Sequence, residues 1–511
     1  MIPYPPPPDP EPLAPPPDPL GPRPEPLKPA PEPLGPDPEL FDHTPELLGP
    51  LLARLRLARG WSQQHLADRL CAAAGVPTLS RHEVSRWERQ ARVPGDFWLT
   101  WLAVVLAVPR RRLVEAAGAS RRTAGYPLVE ASRPRRALLA LAQRWLADPH
   151  ASLLPPGGPP LTGTTPPNTD ADLGGGPPVS APGLPAPGAG TGLPVPGTGR
   201  GLQDTGWLDG LRRLDDLTGG ADLTGLGAYR LRRVAAAVSL AGPARRRGLL
   251  PVLAEAAQLA GWLAADAGDA AGALTAYRLG LRAASAAGDR ALAGHVLGSA
   301  SHLLAGAGDP HGAALLARTA YAGAGPVASA GLRALLLHRT AFAAASGGQH
   351  RAARAALTAA GRAAGRHDPL REPPWLYWLD GAEFAAMTGR TLTALGRPLP
   401  AVPLLAAGCR PGQPRSVALY GAWLARAWLQ LGEVERAGEL AGEALLAAVR
   451  AGSPRAAGAL AEVGRRLAAH PTEPAVRRHA VLVAAVRGYL PRRVTPPAVR
   501  HRRRRPASVV A

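Results

Sequence analysis

The sequence predicts an all-α protein with two folded parts. Three observations predict it: apolar residues at helical spacing with cap signals before residue 120, glycine-centred turns recurring through residues 203–490, and proline-rich stretches that isolate the two. Residues 1–40 are nearly half proline and predict an extended or disordered tail. Residues 152–200, rich in Pro, Gly and Thr, predict a long flexible linker, and 491–511 a basic disordered tail.

The N-terminal part, 41–120, reads as five short helices. Residues 46–59 place Leu47, Leu51, Leu55 and Ala58 on one stripe. Trp61 precedes Ser62, a natural N-cap, and Leu66 falls where it would close a hydrophobic staple on Trp61. That second helix carries Leu66, Ala67 and Leu70 on one face, and a turn is expected over CAAAGVPTLS, residues 71–80. Ser80 and Glu83 have the spacing of a capping box opening a third helix. Val84 and Trp87 are its apolar pair, while Arg81, His82, Ser85, Arg86 and Arg89 point elsewhere. Residues 96–107 and 110–117, the latter after Pro109, supply the fourth and fifth helices.

Residues 61–89 resemble the DNA-binding domain of the XRE (Cro and lambda-repressor-like) helix-turn-helix regulators. Trp61-Ser62-Gln63, Leu66-Ala67 and Val84-Ser85-Arg86-Trp87-Glu88-Arg89 carry the resemblance, which covers about 75 residues of 511. The turn is about seven residues longer than the family's, and Gln90 stands where a glycine usually ends the recognition helix. The resemblance implies a five-helix lambda-repressor-like fold binding double-stranded DNA. Arg81, His82 and Arg86 then meet base edges, arginine offering a fork to guanine O6 and N7. Gln63 and the first amides of its helix grip a phosphate, with Gln64 and Ser85 on the same surface. Arg89 and Arg92 touch the backbone. The bland alternative is a small helical bundle decorated with solvated arginines.

Residues 133–148, within a basic stretch 121–151, read as one amphipathic helix that either extends the first domain or dimerises. Beyond the linker, glycine turns recur at Gly268, Gly308, Gly348, Gly396 and Gly432, at intervals of 40, 40, 48 and 36 residues. Five and twelve residues after each glycine the residue is always small: Ala273 and Gly280, Ala313 and Ala320, Ala353 and Ala360, Ala401 and Gly408, Ala437 and Ala444. Small residues at that spacing let a neighbouring helix approach closely. The pattern is similar to the second helix of a tetratricopeptide repeat, with the first helices ending at the turns and Trp262 and Phe342 in equivalent places. Such an array implies a superhelix whose concave face holds a peptide or protein partner. Trp375, Tyr377 and Trp378 read either as core or as a ligand or partner pocket.

The net charge of +21 is almost entirely arginine and is compatible with nucleic acid without establishing it. Two distant cysteines exclude a disulfide framework, and no Cys/His cluster has zinc spacing, so no metal or cofactor is expected. His295, His302, His311, His338, His350 and His367 are scattered, without a nucleophile partner, carboxylate pair or phosphate loop, so no enzyme is expected. No start resembling a signal peptide is present, and the apolar run at 97–108 is too short to span a bilayer. The expectation is therefore a cytoplasmic, nucleoid-associated regulator that forms a homodimer, with no membrane partner. The competing expectation is a repeat scaffold for protein interaction whose DNA binding is secondary.

Overall fold

The computed structural model describes residues 46–124, 131–149, 153 and 205–491. The proline-rich N-terminus, all but Leu153 of the predicted linker, and the tail after residue 491 lie outside the described residues. Twenty α-helices and two short 3-10 turns make up the regular structure, with no strand among the described residues.

The first five helices are α1 (Leu48–Leu57), α2 (Gln63–Ala74), α3 (Arg81–Glu88), α4 (Asp96–Val105) and α5 (Arg110–Ala124). They close over one core containing Leu51, Leu52, Leu66, Leu70, Val84, Trp87, Leu99, Leu102 and Leu113. The α1 stripe runs as expected through Leu47, Leu51 and Leu55, but Ala58 is an exposed C-cap rather than a fourth buried member. The expected long turn is shorter than the sequence suggested. Residues 71–74 continue α2 for another turn, because the alanines favour helix and Gly75, at φ 67°, supplies the left-handed cap that ends it.

After α6 (Ser132–Ala147), α7 (Gly206–Leu217) and α8 (Gly220–Leu240) come five helical hairpins. Their first helices are α9 (Pro243–Asp266), α11 (Arg290–Gly306), α13 (Ala330–Ser346), α15 (Gly381–Ala394) and α17 (Pro414–Leu431). Their second helices are α10 (Ala270–Ala287), α12 (Pro310–Ala324), α14 (His350–Ala364), α16 (Pro398–Gly408) and α18 (Val434–Ala451), and α19 (Pro454–Leu467) and α20 (Pro474–Val486) follow. Each of the five glycines lies in the turn within a hairpin, at φ 69–85°. At every one, the glycine N–H reaches the carbonyl three residues back and the next N–H the carbonyl five before it, as in Asp269 to Ala264 at 2.9 Å and Glu433 to Trp428 at 3.0 Å. That double closure is the Schellman motif and requires a left-handed residue. All ten small residues are buried. At Gly408 an added Cβ would stand 2.5 Å from that of Ala386, so the close approach of α15 and α16 depends on its absence.

The ends of the array meet. Asp215 on α7 accepts from Arg415 at the start of α17 at 2.5 Å, and Asp266 at the end of α9 accepts from Ser453 before α19 at 3.0 Å. One helix, α9, has the length and mean hydropathy of a membrane span, and its apolar window is 78% buried among its neighbours, as in a core helix.

Helix α6 joins the two parts. Its Leu138, Leu139, Leu141, Ala142 and Trp145 belong to the same core as the first three hairpins. It packs on α10 and α12 and also touches α1, so it does more than extend the N-terminal bundle. Leu47 donates its N–H to Gln143 at 2.7 Å, and Arg135 makes a buried ion pair with Asp309. The Trp145 ring lies where a Cβ on Gly323 would be, 2.3 Å from the nearest ring atom. Gly323→Leu is therefore expected to lever α6 off the hairpins, costing about 1–3 kcal/mol as overpacking does. Calorimetry would show it as an N-terminal transition split from the main one; an unsplit, unshifted melt would mean that Trp145 yields freely.

Candidate nucleic-acid interface

Helix α3 is held on its inner side by Val84 and Trp87, which are 0% and 3% exposed. Its outer side carries the cations. Arg81, His82, Arg86 and Arg89 are all exposed, as is Arg92 just beyond the helix, while Ser85 is half-buried. Arg81 and His82 make no hydrogen bond or ion pair with any described residue, which leaves the leading turn of α3 free to meet a ligand. Arg86 and Arg92 share Glu83, at 2.7 and 3.4 Å, and Arg89 folds back to the Ser85 carbonyl at 3.1 Å. Glu83 is thus taken by arginines, and the capping box expected from Ser80 and Glu83 does not form. Ser80 makes no side-chain cap; its carbonyl accepts from the Glu83 amide at 3.0 Å instead. At α2 the expected cap does form, with Ser62 accepting from the His65 amide at 3.0 Å.

A buried carboxylate fixes the pose of α2 against α3. Glu88, at the end of α3, takes both Nε and Nη2 of Arg56 at 2.6 and 3.0 Å, and Gln63 Nε2 at 2.7 Å. Arg56 also donates to the Trp61 carbonyl at 2.6 Å. One bidentate pair therefore ties α1, the turn after it, the start of α2 and the end of α3. Gln63, expected to grip phosphate, has its amide nitrogen committed to Glu88, while exposed Gln64 bonds Asp68 at 2.7 Å. Sequence reasoning missed Arg56 and had Glu88 only as part of the motif. Their separation of 32 residues leaves no local signal.

The end of α3 is tightly packed. Gln90 has φ 57°, the left-handed geometry of the glycine it replaces, at a cost of about 1–2 kcal/mol. Gly49 lets α1 cross there: a Cβ would stand 2.5 Å from the Glu88 carbonyl oxygen.

The aromatic cluster on the repeat side is spread over different neighbours. Trp375 is buried and stacks on His295 at 4.6 Å, while Trp378 donates to the Trp375 carbonyl at 3.2 Å. Tyr377 is 40% exposed, and its hydroxyl donates to Asp216 at 2.6 Å. Other histidines are also stacked on rings, His302 on Trp262 and His338 on Phe384. Burial, with nearby Arg212 and Arg339, pushes His295 down to about 3, so it is a neutral flat spacer at neutral pH. Among the described residues no group of three or more His, Cys, Asp or Glu is placed to hold a metal ion.

No family model matches the chain, and no curated protein or solved structure matches it either.

Proposed function

We propose that the chain is a sequence-specific double-stranded-DNA-binding transcriptional regulator, cytoplasmic and nucleoid-associated, acting as a homodimer. Its helical-hairpin array, similar to tetratricopeptide repeats, is the part that takes a signal ligand or partner. The observation that carries the reading is α3: a short helix dry on one side, with unpartnered Arg81 and His82 and exposed Arg86 on the other, posed against α2 by Glu88. Such a helix suits insertion in the major groove by its leading turn. Helix α6 supplies the coupling: it contacts α1 of the DNA-reading bundle and α10 and α12 of the array. A ligand that shifts those hairpins then moves the recognition helices and changes the half-site spacing that a dimer accepts.

Selection from a random duplex pool with the full chain at near-physiological salt tests the reading. An enriched inverted repeat supports it; salt-sensitive binding with no enriched motif would reduce the interface to charge alone. On the selected site, Arg86→Ala is expected to cost about 1–3 kcal/mol and relax one base position. Arg92→Ala is expected to weaken binding evenly across sequences and to flatten the salt slope. Identical behaviour of the two variants would overturn this division of contacts.

A further inference from the structure

The inner face of the hairpin array carries a second concentration of cations. Six residues before the turn glycines stand Trp262, His302, Phe342, Arg390 and Arg426, one on the first helix of each hairpin. Neighbours along this stripe touch: Trp262 stacks on His302 with centroids 5.7 Å apart, and the Arg390 guanidinium lies 4.3 Å from the Phe342 centroid. Arg339 stands three residues before Phe342 on α13. From the closing end, Arg415 and Arg455 lie over the Trp262 ring at 5.5 and 4.9 Å.

The charges here do not balance among the described residues. Arg415 has Asp215 at 2.5 Å and Arg455 has Asp266 at 3.0 Å. Glu383, the remaining nearby acid, accepts from the Tyr420 hydroxyl, and its charge acts on Arg339 and Arg390 without a hydrogen bond to either. Arg339 and Arg390 are left, only 6% and 7% exposed, with no carboxylate or carbonyl of the described residues bonded to either. Nε of both, and Nη2 of Arg390, reach no acceptor among the described residues. Burial, aided by the like charge of Arg390, pushes Arg339 down to about 9, so it remains a cation at neutral pH. Two buried guanidinium groups that share the surroundings of Phe342 and leave nitrogens without acceptors are unfavourable in a folded chain. At the Arg390 position the other hairpins carry Trp262, His302, Phe342 and Arg426, and at the Arg339 position Leu259, Ser299, Met387 and Trp423, so the architecture does not demand arginine at both.

We propose that Arg339 and Arg390 form the ligand site of the array and take a small organic oxyanion, a carboxylate or a phosphate monoester, in their paired guanidinium forks. Planar forks match both anions with two parallel hydrogen bonds. The ring of Phe342, under the Arg390 guanidinium and edge-to-face with Trp423 at 5.6 Å, gives the surroundings of the forks an apolar side for the rest of such a ligand. The ties between Asp215 and Arg415 and between Asp266 and Arg455 join the array's ends across this interior, which favours a compact ligand over an extended chain. The inference rests on the array being the signal-binding half.

Calorimetric titration of the full chain, without DNA, with orthophosphate and with succinate, against chloride at matched ionic strength, tests it. The expected result is one saturable site per chain, millimolar or tighter, with a raised melting midpoint; the tighter probe names the class of anion. Arg339→Met and Arg390→Met are expected to abolish that site while leaving the anion-free midpoint unchanged or higher. Phosphate held by the α3 arginines would survive these variants and is thereby separated. No saturable binding of either probe, binding that survives both substitutions, or an anion-free midpoint lowered by roughly 4 °C or more overturns the inference. Should the methionine variants not fold, Arg339→Lys and Arg390→Lys decide, since lysine keeps the charge and loses the fork: binding weakened tenfold or more supports the site, and unchanged binding overturns it. Because no DNA is present, a failed titration leaves the regulator reading standing, and a failed duplex selection leaves this one.

Discussion

Asp266→Ala is expected to destabilise the hairpin array by about 3–5 kcal/mol, the range for removing one partner of a buried ion pair. Asp266 is 0% exposed and ends α9. It accepts from the Gly220 amide at 2.8 Å and the Ser453 hydroxyl at 3.0 Å, faces Arg455 at 3.0 Å and has Arg415 at 3.9 Å. Alanine would leave two arginines short of a counter-charge and two further donors without an acceptor, in the place where the first and last helices of the array join. The carboxylate sits at a helix C-terminus, where the dipole disfavours it, so its partners must outweigh that too. Burial alone would raise its pKa, but Arg415, Arg455, the Gly220 amide and Ser453 together hold it below the ordinary value of 3.8. The folded pKa therefore lies below the unfolded one. Its contribution is present above pH about 4 and is lost as the pH falls through the folded value. Denaturant unfolding of wild type and variant at pH 7 and in acid checks both statements. The gap between the two curves should be wide at pH 7 and narrow in acid; a gap under about 1 kcal/mol at pH 7 would mean the arginines find other partners.

Glu88→Ala is expected to have the second largest effect, about 3–5 kcal/mol, confined to the N-terminal bundle. The two side chains of the pair are 10% and 7% exposed, so solvent does little to screen the guanidinium left behind. Its consequence for function exceeds its thermodynamic size, because Glu88 sets how α2 and α3 face each other. On the proposed DNA-binding reading, duplex affinity should fall by more than tenfold although neither Glu88 nor Arg56 is assigned a base or phosphate contact. Glu88→Gln keeps the shape and one acceptor, and should lie between the two. Hydrogen exchange of α2 and α3 amides, with duplex binding, gives the readout. Wild-type affinity in Glu88→Ala would show that the core residues Leu66, Val84 and Trp87 hold the pose alone.

These two carboxylates show where sequence reading stops. The glycine turns were legible because their chemistry is local: a Schellman closure needs a left-handed residue, and glycine adopts it without penalty. The small residues that follow were legible for the same reason, since close helix approach fixes residue size at fixed spacing. The Ser62 cap follows from the capping chemistry of serine before a helix, and the inner pair of Val84 and Trp87 from helix period. Partner choice is another matter. Glu83 had the right spacing to cap Ser80 and was taken by Arg86 and Arg92. Gln63 faced a motif position for phosphate and was taken by Glu88. The amphipathic pattern of 133–148 showed an apolar face on α6 but not that Gly323, far along the chain, would receive Trp145. Arg339 and Arg390 looked like ordinary arginines in an arginine-rich chain. Only the stacking of hairpins buries them.

The docking of α6 also changes what the backbone between residues 153 and 205 is for. That stretch joins two masses already clasped by Trp145, the Arg135–Asp309 pair and a shared apolar core. The joint is that clasp, and it does not depend on the covalent connection. A protease nick anywhere in 154–204 should therefore yield two pieces that travel together on a sizing column. Two separately expressed halves ending and beginning in that stretch should find each other on mixing, as the parts of a split reporter do.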